Sequence, residues 1–264
     1  MPKSTFLAIG LLLLQGLWTP TALAEPPPIR ICYESDHMPP YSLSDAEALR
    51  DRAGVLPELI DIAAERVGLP YKFYRRPWKR CIRDLEENRL DALFAAIWLK
   101  ERETWGVYPN LNGELDPNRR LWSAIYPIFV ANDSKLQYSN GEFQGLKFGV
   151  GAPVGYVAYQ KLERMGVLAP SSLTPDVGFE LLIRNRLDGY VIDQSIGRTL
   201  ARNMGLSDAI TTLPEPFLIS DWYLVISHKF YEERTQDAES LWAALAQTRE
   251  EMGEYLLEKY MREE

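Results

Sequence analysis

Apolar positions in the first part of the chain follow two regular spacings. The segments IRICYE, YKFYR and DALFAAI are short apolar or aromatic runs, which predict buried strands. A helix is predicted between the first two strands, because apolar residues recur there at helical spacing: Leu56, Leu59, Ile60, Ala63 and Val67. The segment PWKRCIRDLEEN, opened by Pro77, predicts a second helix. Strands and helices in alternation predict parallel pairing with right-handed crossovers.

The second part of the chain repeats this architecture without a repeated sequence. KFGVG and DGYVID predict strands, and PVGYVAYQKLERM and DVGFELLIRNR predict the helices between them. Two extended segments, LWSAIYPIFVANDS and LPEPFLISDWYLVIS, connect the two units and predict a two-stranded hinge. We assign residues 25–128 and 219–264 to lobe 1, and residues 129–218 to lobe 2. The predicted fold class is α/β, with two lobes that are each a sheet flanked by helices.

The end of the chain predicts helices that pack against lobe 1. One apolar stripe includes Leu241, Trp242 and Leu245. A second stripe consists of Met252, Tyr255, Leu256, Lys259 and Tyr260.

The first 24 residues have the composition of a secretory signal peptide. Lys3 precedes the apolar run FLAIGLLLLQGLW, and ALA at positions 22–24 is a small-residue cleavage pattern. We therefore expect export to the periplasm, with an uncleaved N-terminal anchor as the alternative. An oxidising compartment favours a disulfide between Cys32 and Cys81 over two unpaired buried thiols. The net charge of −8 argues against nucleic acid as a partner.

Several segments, taken in order and spacing, resemble the type II periplasmic solute-binding proteins, in particular the polar amino-acid-binding family of ABC importers. They are RICYESDHMPPYS, GVLPELIDIAAERVG, PWKRCIRDLEENRLDALFAA, KERETWGVYP, KFGVGAPVGYVAY, RLDGYVIDQS and LEKYM. The resemblance covers essentially the whole chain after the leader. It implies that a small ligand binds between two lobes, at the carboxyl ends of strands. It also implies a monomer that serves a membrane permease, with no cofactor and no metal.

Arg102 and Asp193 match the positions at which the family binds the ligand's α-carboxylate and α-ammonium. Arg102 follows the third predicted strand, and its planar guanidinium suits a carboxylate bidentately. From the residues alone it is equally a surface arginine paired with Glu101 or Glu103. Asp193 closes the strand DGYVID and is also a candidate N-cap for the helix QSIGRTLARN. The two roles of Asp193 are compatible.

Four more residues of the first lobe are candidates for the site, and the resemblance assigns the first two. Glu34 and Tyr41 flank the loop after the first strand, where the family has an acid that contacts the ligand side chain and an aromatic that packs on the ligand. Trp78 and Trp98 are candidates for the walls of the cleft. Core packing is an equal alternative for these aromatic residues.

In the second lobe, Gly155 and Tyr156 are expected to open a helix whose backbone N–H groups meet an anion. The resemblance also places Cys32 and Cys81 on neighbouring elements of the first lobe, which predicts that they are bonded. The chain departs from the family where AAIW and APVG replace residues that usually carry hydroxyls. Those differences remove donors to a carboxylate.

The expected function is capture of a small polar ligand, an amino acid or a related small carboxylate, for delivery to an ABC importer. One alternative is an enzyme on the same scaffold, similar to cyclohexadienyl dehydratases, with Glu34 as acid or base. The sequence contains no legible Ser/His/Asp or Cys/His arrangement. A second alternative is a ligand-sensing partner of a membrane receptor.

Overall fold

The computed structural model describes residues 26–43 and 53–262, so the predicted leader, residues 1–24, lies outside the described residues. The strands are β1 (Ile29–Glu34), β2 (Tyr71–Arg76), β3 (Ala92–Ile97), β4 (Asn110–Leu111), β5 (Glu114–Leu115), β6 (Trp122–Tyr126), β7 (Ile128–Ala131), β8 (Gln137–Ser139), β9 (Glu142–Gln144), β10 (Val150–Gly151), β11 (Gly189–Val191), β12 (Ile210–Thr212) and β13 (Leu218–Ile226). The helices are α1 (Val55–Arg66), α2 (Trp78–Glu86), α3 (Val157–Arg164), α4 (Pro175–Ile183), α5 (Gln194–Asn203), α6 (His228–Glu233) and α7 (Thr235–Arg262). None of these helices has the length and apolar character that crossing a membrane requires.

The first sheet has five strands in the order β2-β1-β3-β13-β6. β1 pairs in parallel with both β2 and β3, as the alternation of strands and helices predicts. β13 runs antiparallel between β3 and β6, and its pairing with β3 shifts register between Tyr223 and Val225. In the same stretch of β3, Ala95 adopts a φ of 65°. Such irregularities re-aim side chains at the edge of a binding site.

The second sheet has four strands in the order β10-β11-β7-β12. Its parallel pair, β10 and β11, is shorter than the predicted strands, because only Val150 and Gly151 of KFGVG pair. The chain passes between the sheets from β6 to β7 and again from β12 to β13. β6 and β13 pair with each other, so the hinge is two-stranded. The lobe boundaries predicted at residues 128 and 218 lie next to these passages and stay predictions.

The predicted apolar stripe of the first helix is the buried face of α1. Leu56, Leu59, Ile60 and Ala63 are buried, whereas Val67 lies beyond the end of the helix and is exposed. The prediction for Val67 was wrong because α1 ends at Arg66, so its helical spacing does not continue to that residue.

The two predicted C-terminal stripes belong to one continuous helix, α7, which packs against α1. The Lys259 ammonium donates to Glu58 Oε2 at 2.9 Å, and the Tyr260 hydroxyl donates to the same oxygen at 2.6 Å. Tyr255 was wrongly placed in the buried stripe, because its side chain is 62% exposed. These contacts join the end of the chain to the helix that precedes β2.

Cys32 of β1 and Cys81 of α2 form the predicted disulfide, with a Cα–Cα distance of 5.7 Å. Both residues are fully buried. Their bond ties the carboxyl end of β1 to the first turn of α2. Glu34 and Trp78 lie within three residues of the bonded cysteines, so the disulfide restricts the relative movement of two candidate site residues.

Candidate ligand-binding site

A cavity of about 70 Å³ lies between the two lobes, at the carboxyl ends of β1, β3 and β11. Open α/β sheets favour this position for ligands. Six of the residues predicted for the site line the cavity: Glu34, Tyr41, Trp78, Arg102, Tyr156 and Asp193. The structure therefore brings residues from distant parts of the chain together in one place.

Arg102 lies in a short 3-10 helix, Lys100–Thr104, directly after β3. Its side chain is buried, with 3% of the residue exposed. Nη1 donates to the carbonyl of Ile97 at 3.1 Å, and Nη2 donates to the carbonyl of Gly155 at 3.4 Å. The guanidinium also lies over the ring of Trp105, with 4.4 Å between its Cζ and the ring centroid.

The charge of Arg102 has no carboxylate partner within 4.0 Å in the part of the chain that the structure describes. The alternative of a surface arginine paired with Glu101 or Glu103 is excluded, because Arg102 is buried and forms no ion pair with either residue, while Glu103 binds Lys100 at 2.6 Å. Burial lowers the pKa of the Arg102 guanidinium, the expected effect of removing a cation from water. Arg102 is therefore a buried cation held by carbonyl oxygens and an aromatic face.

Asp193 follows β11 and is the N-cap of α5, as predicted. Its Oδ1 accepts the backbone N–H of Ser195 at 2.8 Å and that of Ile196 at 3.2 Å. Neither of these two bonds uses Oδ2. Burial raises the pKa of Asp193 to about 7, although its backbone hydrogen bonds oppose the shift. The capping role is established by this geometry, and the ligand-binding role is compatible with it.

The phenol of Tyr126 lies near both charges of the cavity. Its pKa is raised well above the ordinary value, mainly by burial and then by the negative charge of Asp193, while Arg102 acts in the opposite direction. Its hydroxyl accepts a hydrogen bond from Trp222 Nε1 at 2.6 Å. Arg102 of the first lobe and Asp193 of the second lobe thus act on one small volume.

Glu34, the last residue of β1, supports the start of α2. Its Oε1 accepts the N–H of Ser35 at 2.8 Å and that of Asp36 at 3.3 Å, and its Oε2 accepts the N–H of Trp78 at 3.1 Å. Pro77 cannot cap the helix with a side-chain oxygen, so Glu34 supplies an acceptor there. Burial raises the pKa of Glu34, with a smaller contribution from Asp36.

Two hydrogen bonds join the lobes at the cavity. One is the bond from Arg102 to Gly155. In the other, the Tyr41 hydroxyl donates to Ser195 Oγ at 3.4 Å while accepting from Trp122 Nε1 at 3.1 Å. Burial raises the pKa of Tyr41 above its ordinary value. Because these bonds hold the two lobes in contact across the cavity, the conformation is a closed one.

Two of the predicted site residues do not line the cavity. Trp98 lies on the first lobe beside a separate surface groove, and its Nε1 donates to Glu103 at 3.2 Å. The second such residue is Gly155. Gly155 and Tyr156 precede α3 instead of opening it, because Gly155 has a φ of 86° and the helix begins at Val157. Gly155 therefore contributes a carbonyl to Arg102, while Tyr156 reaches the cavity with its side chain.

Several lining residues were not predicted from the sequence. Tyr126 and Trp222 come from the two hinge strands, and Val157, Ile192 and Ile196 form the wall of the second lobe. The hinge strands were recognised, but which of their side chains face the cavity depends on the register of β6 and β13.

Structural comparison finds the same two-lobed fold in proteins of low sequence identity to this chain. A mutant of ArgBP from T. maritima has a TM-score of 0.68 at 16% identity, over 89% of this chain and 95% of that chain. The GluR0 ligand-binding core from Nostoc punctiforme, in complex with L-glutamate, has a TM-score of 0.67 at 16% identity, over 88% of this chain and 99% of that one. A histidine kinase sensor domain with similarity to periplasmic binding proteins has a TM-score of 0.66 at 18% identity, covering 88% and 95%.

These likenesses show the fold, which is the type II periplasmic binding protein fold predicted from the sequence. No protein-family model matches the chain, and no curated protein matches its sequence.

Proposed function

We propose that this protein is a solute-binding protein that captures a small amino acid between its two lobes. The observation that carries the proposal is the pair of buried charges, Arg102 from one lobe and Asp193 from the other, on the walls of one cavity. A buried charge without a counter-charge is costly. A zwitterion relieves both costs at once, since its carboxylate can pair with Arg102 and its ammonium with Asp193.

The names of the structural neighbours support this class of ligand. ArgBP of T. maritima has been solved in an arginine-bound form, and the GluR0 core holds L-glutamate. Both proteins have an amino acid as ligand, and the cavity of this chain lies where their fold places ligands in general.

We further propose that the protein is exported to the periplasm and delivers its ligand, as a monomer, to the permease of an ABC importer. A neighbour described as the substrate-binding protein of an amino acid ABC transporter supports this role. A receptor is the alternative partner, because a sensor domain has the same fold. Uptake of the labelled ligand by a strain without this gene decides between them. Lost uptake supports the importer, and normal uptake with a lost transcriptional response supports the receptor.

The buried carboxyl of Glu34 is the one observation that favours an enzyme. Its raised pKa would allow proton transfer to a substrate in the cavity. However, three backbone N–H groups already bind this carboxylate, two in the loop after β1 and one at the start of α2, so it has a structural role. Proton NMR of the ligand after prolonged incubation with the protein tests this alternative, because a binding protein returns its ligand unchanged.

A thermal-shift screen of amino acids, polyamines and small carboxylates tests the proposed function. A ligand at 100 times its dissociation constant stabilises the protein by about 2.7 kcal/mol. We expect Arg102→Ala to lose about 2 to 5 kcal/mol of affinity, and Arg102→Lys to restore little, since an ammonium lacks the paired donors. Arg184→Ala is the matched control, because Arg184 is 65% exposed on the second lobe. Equal binding by Arg102→Ala and Arg184→Ala would refute the proposal.

A further inference from the structure

The charged groups of the cavity are confined to three side chains. Arg102, Asp193 and Glu34 are the ionised residues among those that line it. The first two are assigned above to the carboxylate and the ammonium that every α-amino acid carries. The carboxylate of Glu34 already accepts the N–H of Ser35, directly after β1, and that of Trp78 at the start of α2. An anionic ligand side chain would therefore find no second cation within the described cavity, and a cationic one would find only a carboxylate that backbone N–H groups already solvate.

The wall of the second lobe is apolar apart from Asp193 and the Tyr156 hydroxyl. Val157, Ile192 and Ile196 are buried there. Val157 is the first residue of α3, a position next to the helix N-terminus where a hydroxyl side chain would offer a donor to a polar ligand. The chain has a valine instead.

Apart from Glu34, Ser42, Arg102 and its tyrosines, the wall of the first lobe is apolar as well. Leu56, Phe94, Ala95 and Ile97 line it, and Trp222 of the hinge closes it. The indole N–H of Trp222 is used by the Tyr126 hydroxyl at 2.6 Å. The hydroxyl of Tyr41 is used by Ser195 and Trp122. Polar atoms on this side are thus largely occupied by protein partners.

We propose that the ligand is an α-amino acid with a small uncharged, apolar side chain, held at its charged end by Arg102 and Asp193 and elsewhere by apolar contact. This inference rests on the proposed function and narrows it. Apolar walls favour apolar groups by about fourfold in affinity for each buried methylene. They disfavour a charged or amide group of the same shape, because that group loses its water without gaining a partner. A cavity of about 70 Å³ also limits the size of the side chain.

Ligands of matched shape provide the test. Valine and threonine form one isosteric set, leucine, asparagine and aspartate form a second, and norleucine and lysine differ only at the end of the side chain. Calorimetry or competition with the purified protein measures the affinity of each. In every set with measurable binding, we expect the apolar amino acid to bind at least about 10-fold more tightly than the polar one, since the hydroxyl, amide or charge of the polar ligand is left unpaired.

Two results would overturn the inference in distinguishable ways. If lysine, aspartate or asparagine binds more tightly than its apolar counterpart, the proposed function stands and the inference about the side chain fails. If no α-amino acid binds at millimolar concentration, the proposed function is wrong, and the inference about the side chain is wrong as well.

A pair of protein variants gives a second readout. Val157→Thr places a hydroxyl in the apolar wall with almost no change of shape, and should weaken valine or leucine by about fivefold while affecting glycine or alanine less. Val177→Thr makes the same change on α4, where the residue is 41% exposed and outside the cavity, and serves as the control. Equal effects of the two substitutions on leucine and alanine alike would contradict the proposed apolar wall.

Discussion

Ligand affinity is expected to rise with pH through the pKa of Asp193. Burial raises that pKa to about 7. The ammonium of an amino acid stabilises the ionised carboxylate, so the bound state should have a lower pKa at this residue. Below about pH 7, binding must therefore displace a proton from Asp193, and the displacement weakens the apparent affinity.

The magnitude follows from the fraction of Asp193 that is ionised. With a pKa of about 7, roughly 3% is ionised at about pH 5.5 and roughly 90% at about pH 8. If only the ionised form binds the ammonium, affinity falls about 30-fold from the higher to the lower pH, or about 2 kcal/mol. Binding at about pH 6 should release about one proton for each ligand bound.

The groups around Asp193 decide which controls are needed. The pKa values of Tyr41 and Tyr126 are raised by burial, so both phenols stay neutral in this range. Arg102 stays charged. Glu34 also has a pKa raised by burial, so it is the second group that can add a pH dependence. The comparison of Asp193→Asn with Glu34→Gln separates the two contributions.

Calorimetry in two buffers of different ionisation enthalpy measures the released proton directly. The wild type should show a buffer-dependent enthalpy at about pH 6, and Asp193→Asn should not. Glu34→Gln should keep most of the effect. Affinity that is independent of pH, with no proton release in the wild type, would refute the reasoning, because it would mean that Asp193 does not meet a cationic group of the ligand.

Three further substitutions test the fold and the closed state. Tyr41→Phe removes the hydroxyl that donates to Ser195 across the lobes, and stopped-flow fluorescence should show ligand dissociation about fivefold faster; an unchanged rate would contradict a role of this contact in closure. Replacing both Cys32 and Cys81 by Ala removes a disulfide that links residues 49 apart in sequence, and should lower the free energy of unfolding in urea by about 4 kcal/mol. A loss below about 1 kcal/mol would contradict a stabilising role of this disulfide. Gly197→Ala places a Cβ within 2.3 Å of an aromatic ring carbon of β7, so the unfolding temperature should fall with a loss of about 1 to 3 kcal/mol, and an unchanged temperature would show that the ring moves freely.

Local sequence patterns predicted the elements whose side chains repeat regularly. The spacing of Leu56, Leu59 and Ile60 located α1, and the alternation of strands and helices gave the parallel pairing of β1 with β2 and β3. Asp193 was recognisable as an N-cap because an aspartate between a strand and a helix has few other local roles. These features depend on contacts between residues close in sequence.

The features that were not predicted depend on contacts between residues that are distant in sequence. Trp98 follows β3 and turns to Glu103, a direction that composition alone does not specify. The start of α3 was predicted too early because the left-handed Gly155 reads as an ordinary glycine in a helical segment. Tyr126 and Trp222, 96 residues apart in sequence, face the cavity through the register of the paired strands β6 and β13. Their contribution appears only when the hinge is assembled.

The central claim is that Asp193 binds the ammonium of the ligand that Arg102 holds by its carboxylate. The most direct measurement is a cycle of four affinities at about pH 8, for the amino acid and its analogue without the amino group, each with the wild type and with Asp193→Asn. We predict that removing the amino group weakens binding by about 100-fold or more in the wild type, and by less than about threefold in Asp193→Asn. An equal loss in both proteins would contradict the claim, because the ammonium would then be bound by some other group.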